Sequence, residues 1–461
     1  MSSVSMSTSY SGGSIPEKKI LLVWSFTVWL VVMNTTMFNV ALPTVLNELS
    51  LTSSTVAWIV SGYSVTFAIS ALTFSRLSDY IPISTLLLIG LFLLSGASIV
   101  GFFSHHFIGL LAARVLQAAG AGAVPGLAMV LAGRYIPLSR RGRAMALIAS
   151  AASLGFGLGP VIGGAITQYL GWNYLFAITC FVVLMIPLFR KLLPKETVKK
   201  GHFDFIGAVF TGLGIAGLLL FISTLSYFLL FGVFIIGVIL WRHLHRIDGP
   251  FLQPALLKNH QYIKLLYISF TAFITHFSSL FLMPIILTTV HDKGAAEVGL
   301  IIFPGAILSA FAARIIGNFI DRFGNKPVII FGESMLIIAV ILFAFLSTKS
   351  PYFILGTYMF MSLGFTSLTS SLSNEMTRIL HVAEIGSGMG MAQLVQFISG
   401  GIGVTITGLV LTLQKGAAPE IIYRNIFFGL AFLISFSFFI FVSYYQKARR
   451  ENQPSYSTHS Q

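Results

Sequence analysis

Four ionisable side chains, Arg114, His276, Glu333 and Glu375, stand inside or at the edge of long apolar runs of this sequence. A charged group at the centre of a bilayer costs roughly 2.5–3.5 kcal/mol on insertion scales, so such residues face a bundle interior, an aqueous cavity or a partner. The chemistry open to them is proton carriage, because a carboxyl among apolar groups readily holds a proton and an imidazole titrates near neutrality. Glu333, in Phe331-Gly332-Glu333-Ser334-Met335, is the one acid well inside an apolar run, and His276 lies mid-run in Thr275-His276-Phe277. Arg114 shares a helical face with Gln117, and Glu375 has Arg378 three residues on as a local ion-pair partner. Plainer readings stand beside these. Arg114 and Arg314 could snorkel outwards from near a helix end, Glu333 and Glu375 could be solvated structural acids, and His276 could be a neutral core histidine bonded to a neighbouring helix.

The elements that must position these groups are membrane helices. With 56% hydrophobic and 9% charged residues, the chain is far from the roughly 25% charged residues of a soluble globule. Stretches of about 20 apolar residues, enough to span the hydrocarbon, fall near 20–42, 55–75, 84–103, 107–132, 143–168, 173–193, 205–225, 227–241, 263–288, 297–320, 327–346, 351–372, 385–413 and 422–445. The leader before Ile20 is polar and Ser-rich, and the first apolar run is full-length, so no cleavable signal peptide is expected. The expectation is an all-α polytopic membrane protein of fourteen transmembrane helices.

The formal charge of +14 reports topology rather than a nucleic-acid partner. Lys18 and Lys19, Arg76, Arg134 to Arg143, Arg190 to Lys200, Arg242 to Lys264, Arg322 and Lys326, Arg378, and Lys447 to Arg450 alternate with loops holding only Lys293, Lys349, Lys415 and Arg424. By the positive-inside rule both termini are cytoplasmic, in a cell membrane whose lipid bilayer is the first partner. The lone Cys180 reads as packing, with no internal disulfide. No phosphate loop, nucleophile–base pair or metal-ligand cluster is present, and the adjacent His105 and His106 read as solvated in an exterior turn. No enzyme, cofactor or metal site is expected.

The run Gly155-Phe156-Gly157-Leu158-Gly159-Pro160-Val161-Ile162-Gly163-Gly164 places Gly155, Gly159 and Gly163 on one helical face. Such spacing lets two membrane helices touch backbone to backbone, and Pro160 makes the helix bendable. The glycines recur 244 residues later, Gly142 with Gly386, Gly157 with Gly401, Gly159 with Gly403 and Gly164 with Gly408, while Asp79 recurs as Asp321 after 242. A duplicated bundle with an inserted helix pair explains this offset. The division predicted is a cytoplasmic tail at 1–19, a six-helix bundle at 20–193, an inserted pair at 205–241, a second six-helix bundle at 263–445, and a tail at 446–461. Parallel duplicated halves are a pattern of secondary transporters with a site near the bilayer midplane.

Several motifs carry a resemblance. Asn34-Thr35-Thr36-Met37-Phe38-Asn39-Val40-Ala41-Leu42-Pro43, Arg114-Val115-Leu116-Gln117-Ala118-Ala119-Gly120-Ala121-Gly122, the Gly155–Gly164 run, and Gly317-Asn318-Phe319-Ile320-Asp321-Arg322-Phe323-Gly324-Asn325-Lys326 resemble, in order, motifs of the major facilitator superfamily. The branch resembled is that of fourteen-span drug:proton antiporters. Ala132 to Pro137, Arg141 to Ala144 and Lys199 to Asp204 are similar to the Gram-positive class K and L tetracycline efflux proteins. The chain departs from that group at Thr35, Phe156 and Gly400, where acids are expected, and at Ser75, Tyr80 and Pro82 in the first loop motif.

The resemblance implies two pseudo-symmetric six-helix bundles around a central cavity, with Gly155, Gly159, Pro160, Gly163 and Gly164 as the exporter motif and Asp79, Asp321 and Arg322 in gating loops. The polar Asn34, Thr35, Thr36, Asn39 and Gln117 are candidates for the cavity, since a buried amide or hydroxyl needs a partner. The function expected is proton-coupled antiport of an amphipathic, drug-like small molecule, tetracycline-type or multidrug and possibly metal-chelated, by a monomer. An exporter of an endogenous metabolite and a non-transporting receptor or scaffold are the alternatives.

Overall fold

The computed structural model describes residues 17–51, 53–193, 196, 203–247, 250–381, 384–414 and 416–451. Its helices are α1 (Glu17–Glu48), α2 (Ser53–Leu77), α3 (Ile83–Phe102), α4 (Phe107–Tyr135), α5 (Leu138–Tyr169), α6 (Tyr174–Leu192), α7 (Phe205–Thr224) and α8 (Tyr227–Leu244). After a short turn at Pro254–Lys258 follow α9 (His260–Thr289), α10 (Ala295–Phe323), α11 (Asn325–Leu346), α12 (Pro351–Ile379), α13 (Ile385–Leu413) and α14 (Pro419–Glu451). Twelve helices among the described residues are long and apolar enough to cross a membrane, against the fourteen stretches of the sequence. The two outside that twelve are α2 and α12.

Helix starts and stops are written in local chemistry. Asn259 caps α9 by accepting from the amides of Gln261 and Tyr262, both at 3.1 Å. Ser350 caps α12, with Pro351 at its first position, where a missing N–H costs nothing. Between α10 and α11 the chain turns at Gly324, whose φ of 78° favours glycine.

Packing follows small residues. An added Cβ at Gly155, Gly159 or Gly163 would strike the α1 backbone around Trp29, Met33 and Met37, so this face of α5 lies directly on α1. Gly332 of α11 and Gly364 of α12 bring their backbones together in the same way. α5 also packs along α10 and α12, and α2 and α4 along α13, and these contacts join residues 20–193 to residues 263–445. The second half of α12 carries a buried polar face, Thr366, Ser367, Ser370, Ser371, Ser373 and Asn374, and packs among other helices, while Tyr352, Phe353 and Phe360 of its first half are exposed.

The pair α7 and α8 lies at the periphery, touching α2 and α13 through α7. Phe228, Phe231, Phe234 and Trp241 of α8 are exposed, Phe228 at 91%. Such aromatic surface on a membrane helix is a lipid-facing surface. The Arg140–Glu17, Lys264–Ser443 and Gly142–Ile320 contacts put the start of α1 and the end of α14 at the same face of the molecule.

A central cavity and the polar networks around it

Arg114, fully buried on α4, holds together five helices. Its Nη1 donates to Asn34 Oδ1 of α1 at 3.3 Å and to Gln117 Oε1 at 3.0 Å. Gln117 donates on to Ser98 of α3 at 2.7 Å, and Thr179 of α6 donates to Asn34 Oδ1 at 3.3 Å. The guanidinium carbon lies 4.0 Å from the Phe38 ring centroid and 3.9 Å from that of Tyr63 on α2. Among the described residues no carboxylate faces it; amide dipoles and two aromatic faces offset the charge. Its Nε and Nη2 are buried without a hydrogen-bond partner.

A small cavity of about 50 Å³, open in part to solvent, lies at mid-depth between the two sets of helices. Val28, Val32, Pro125, Met129, Ile148 and Phe156 are among its apolar contributors from α1, α4 and α5. α9, α12 and α13 contribute Phe273, Phe365 and Phe397 with Thr369, Ser373, Gln393 and Gln396.

This corrects the expected lining. Asn34 and Gln117 are committed to Arg114, Thr35 donates to Val32 O at 2.6 Å, and Thr36 donates to Met33 O at 3.3 Å and Phe156 O at 3.5 Å. None of the four lines the cavity, and the side chain of Asn39 lies outside the described residues. Isolated hydroxyls on α1 find backbone carbonyls more cheaply than they line a void. The sequence reading missed Thr369 with Ser373 and Gln393 with Gln396. Their spacings of four and three, each placing the pair on one helical face, were the available signal.

His276 lies behind the cavity wall. Its ring stacks on Phe365 with centroids 3.8 Å apart and planes at 7°, and both ring nitrogens are buried without a partner, in contrast to a core histidine bonded to a neighbouring helix. Glu333 is buried between α11 and α14, where Oε1 accepts from Ser437 Oγ at 2.9 Å and Oε2 has no partner. It does not line the cavity. Glu375, by contrast, accepts from Asn325 at 2.5 Å, Tyr444 at 2.5 Å and both Nε and Nη2 of Arg378 at 3.0 and 2.5 Å. That saturated carboxylate ties α11, α12 and α14 together.

The two aspartates of the repeat occupy the face that carries the termini. Asp79 pairs with Arg76 at 2.6 Å and Arg134 at 2.5 Å and lies against Gly386 at the start of α13. Burial pushes its carboxyl above the ordinary range, although both guanidinium groups pull it down. Asp321 lies against Gly142 near the start of α5. Arg322 is exposed, its guanidinium 5.1 Å from the Phe323 ring centroid.

A third carboxylate stands beside this face. Asp204 caps α7 by accepting from Gly207 N at 2.8 Å, contacts His243 Nε2 of α8 at 2.8 Å, and accepts from Phe251 N at 3.0 Å. Burial raises its pKa, but the His243 contact and the two amide donors outweigh that and hold it below the usual carboxylate range. The clamped segment reaches both sides of the α2–α13 contact, since Arg76 donates to Pro250 O at 3.2 Å and Ser387 Oγ donates to Gln253 Oε1 at 3.0 Å.

Long antiparallel apolar helices, duplicated polar landmarks and a mid-depth cavity define a helical membrane transporter. The chain belongs to the Major Facilitator Superfamily, whose family model matches residues 24–404 and again 268–458. Its members are transporters and not enzymes. The chain is 24% identical over 416 residues to an uncharacterized MFS-type transporter, YhcA of Bacillus subtilis, covering 85% of this chain and 76% of that one. It is 23% identical to the riboflavin transporter RibZ of Clostridioides difficile, covering 73% and 75%. To the lincomycin resistance protein LmrB of Listeria innocua it is 24% identical, covering 84% of each. The fold matches the crystal structure of the human organic anion transporter MFSD10 (TETRAN), with a TM-score of 0.71 over 93% of this chain and all of that one at 17% identity.

Proposed function

We propose that this protein is a proton-coupled efflux antiporter of amphipathic, drug-like molecules that works by alternating access. The observation that carries the reading is the mid-depth cavity lined by helices of both 20–193 and 263–445. Rocking of two halves about such a site exposes it to one side at a time. We read residues 20–193 and 263–445 as those halves, count α2 and α12 as spans to make fourteen, and assign the face bearing the termini to the cytoplasm of a cell membrane by the positive-inside rule. Glu333 and His276 are our candidates for holding a proton, because each is buried with unpartnered polar atoms.

The similarity to a lincomycin resistance protein supports a drug-like substrate. A metal-chelated tetracycline, which the resemblance implies, is a poorer fit, because no carboxylate lines the cavity among the described residues. The similarity to a riboflavin transporter favours a second reading, in which the molecule moved is an endogenous metabolite.

The test is transport in inverted vesicles under an imposed proton gradient. Substrate accumulation accompanied by proton release, with proton release weakened in Glu333→Gln, is the expected result. Vesicles that move no amphipathic compound and release no protons overturn the antiporter reading.

A further inference from the structure

The two walls of the cavity differ in chemistry. Every lining residue from α1, α4 and α5 is apolar, whereas Thr369, Ser373, Gln393 and Gln396 bring hydroxyls and amides from α12 and α13. Among the described residues the lining contains no Asp, Glu, Lys, Arg or His. The nearest titratable ring, His276, has Phe365 stacked over it.

The polar wall offers both acceptors and donors, since Ser373 has a hydroxyl and Gln393 and Gln396 carry amide N–H groups as well as carbonyl oxygens. Thr369 Oγ1 already donates to Phe365 O at 2.8 Å, and Gln396 Nε2 donates to Ser269 Oγ at 3.2 Å, so the Thr369 lone pairs and the Gln396 carbonyl oxygen remain for a ligand. The rings are engaged with one another: Phe156 meets Phe277 edge-on at 4.8 Å, Phe273 meets Phe365 at 4.9 Å, and Phe397 meets Phe67 at 4.3 Å. They therefore offer a flat apolar contact more than an open cage of ring faces for a cation.

A fixed charge moved from water into this lining loses its hydration and meets no counter-charge. A neutral ring keeps its contacts with the Phe side chains, and hydroxyl or N–H groups on one edge exchange water for Thr and Gln acceptors. Resting on the reading of this cavity as the substrate site, we propose that it takes an uncharged, flat aromatic molecule with one apolar face and one hydrogen-bonding polar edge.

The experiment is a fluorescence titration of the purified full chain with two probes of similar flat shape. Riboflavin is uncharged and carries hydroxyl and N–H donors; ethidium is a permanent cation. Riboflavin is expected to bind saturably to the wild type and ethidium at least tenfold more weakly. Gln393→Glu, on α13, or Ser373→Asp, on α12, is expected to reverse that order by installing a carboxylate, and either variant serves if the other fails to fold. Ethidium binding as tightly as riboflavin to the wild type, or riboflavin not binding at all, overturns the inference. Binding of riboflavin by a protein whose vesicles move no amphipathic compound and release no protons leaves the cavity chemistry standing and sinks the antiporter reading instead.

Discussion

Asp321, at the end of α10, lies against Gly142, near the start of α5. Its counterpart Asp79 lies against Gly386, the counterpart of Gly142. Each aspartate thus meets the glycine on the other side, and the two contacts are reciprocal between residues 20–193 and residues 263–445. A Cβ at Gly142 would overlap the Ile320 side chain and the Asp321 carboxylate. Gly142→Val is expected to lower stability by about 1–3 kcal/mol, the usual cost of overpacking, and Gly386→Val to do the same. Thermal unfolding in detergent checks this, and a Gly142→Val protein that melts with the wild type would show that the contact holds nothing together.

The Asp79 contact carries a pH dependence of definite sign. Its carboxyl is raised by burial, so the packed arrangement binds a proton more readily than a solvated one does. A raised folded pKa contributes stability that is full below the ordinary value and lost as pH rises through the folded value. Mild acid should therefore tighten the α2–α13 contact. A cysteine at Ser387, buried beside Gly386, in a Cys180→Ser background, should be labelled by maleimide more slowly in mild acid, relative to a reference cysteine at exposed Lys258. Asp79→Asn should flatten that profile; a profile that survives the change assigns the pH dependence to another group.

Asp204 ties the α7–α8 pair to the segment that follows it. Its carboxylate gathers the start of α7, the end of α8 and the Phe251 amide, and the adjoining residues reach Arg76 and Ser387. Asp204→Ala removes the helix cap, a loss of about 0.5–2 kcal/mol, and frees the 250–253 segment from α7. The cysteine at Ser387 should then be labelled several-fold faster, with Asp204→Asn intermediate because it keeps an acceptor. Unchanged labelling would mean that the clamp ends at Phe251 and does not reach the α2–α13 contact.

How much of this was legible beforehand depends on the kind of contact involved. The membrane class and transporter family follow from apolar length and motif order, which are local properties. The Gly155–Gly159–Gly163 face was legible too, since a spacing of four on one helix specifies close approach whatever the partner, here α1. The cavity was not. Asn34 and Gln117 are polar within apolar runs, which says they need partners but not that Arg114 supplies them. Thr369, Ser373, Gln393 and Gln396 belong to helices distant in sequence from α1, and only their convergence reveals a polar wall. The saturated environment of Glu375 likewise depends on Tyr444 and Asn325, 69 and 50 residues away.

Arg114 separates a functional charge from a structural one by the order of two variants. Its Nη1 serves Asn34 and Gln117 at once, and the guanidinium plane fills the gap between Phe38 and Tyr63. Lysine keeps the charge but loses the planar group and its fork of donors, leaving a strongly hydrated ammonium in a buried site. Glutamine removes the charge and keeps a donor and an acceptor for the same network. Stability should therefore fall in the order wild type, Arg114→Gln, Arg114→Lys, with Arg114→Lys lowered by about 1–3 kcal/mol through the unsatisfied polar groups it leaves. If the arginine only holds α1, α2, α3, α4 and α6 together, vesicle transport should follow the same order. If its charge is required, Arg114→Gln should lose transport as fully as Arg114→Lys while remaining the better folded of the two, and melting curves beside transport rates on the same preparations decide between these outcomes.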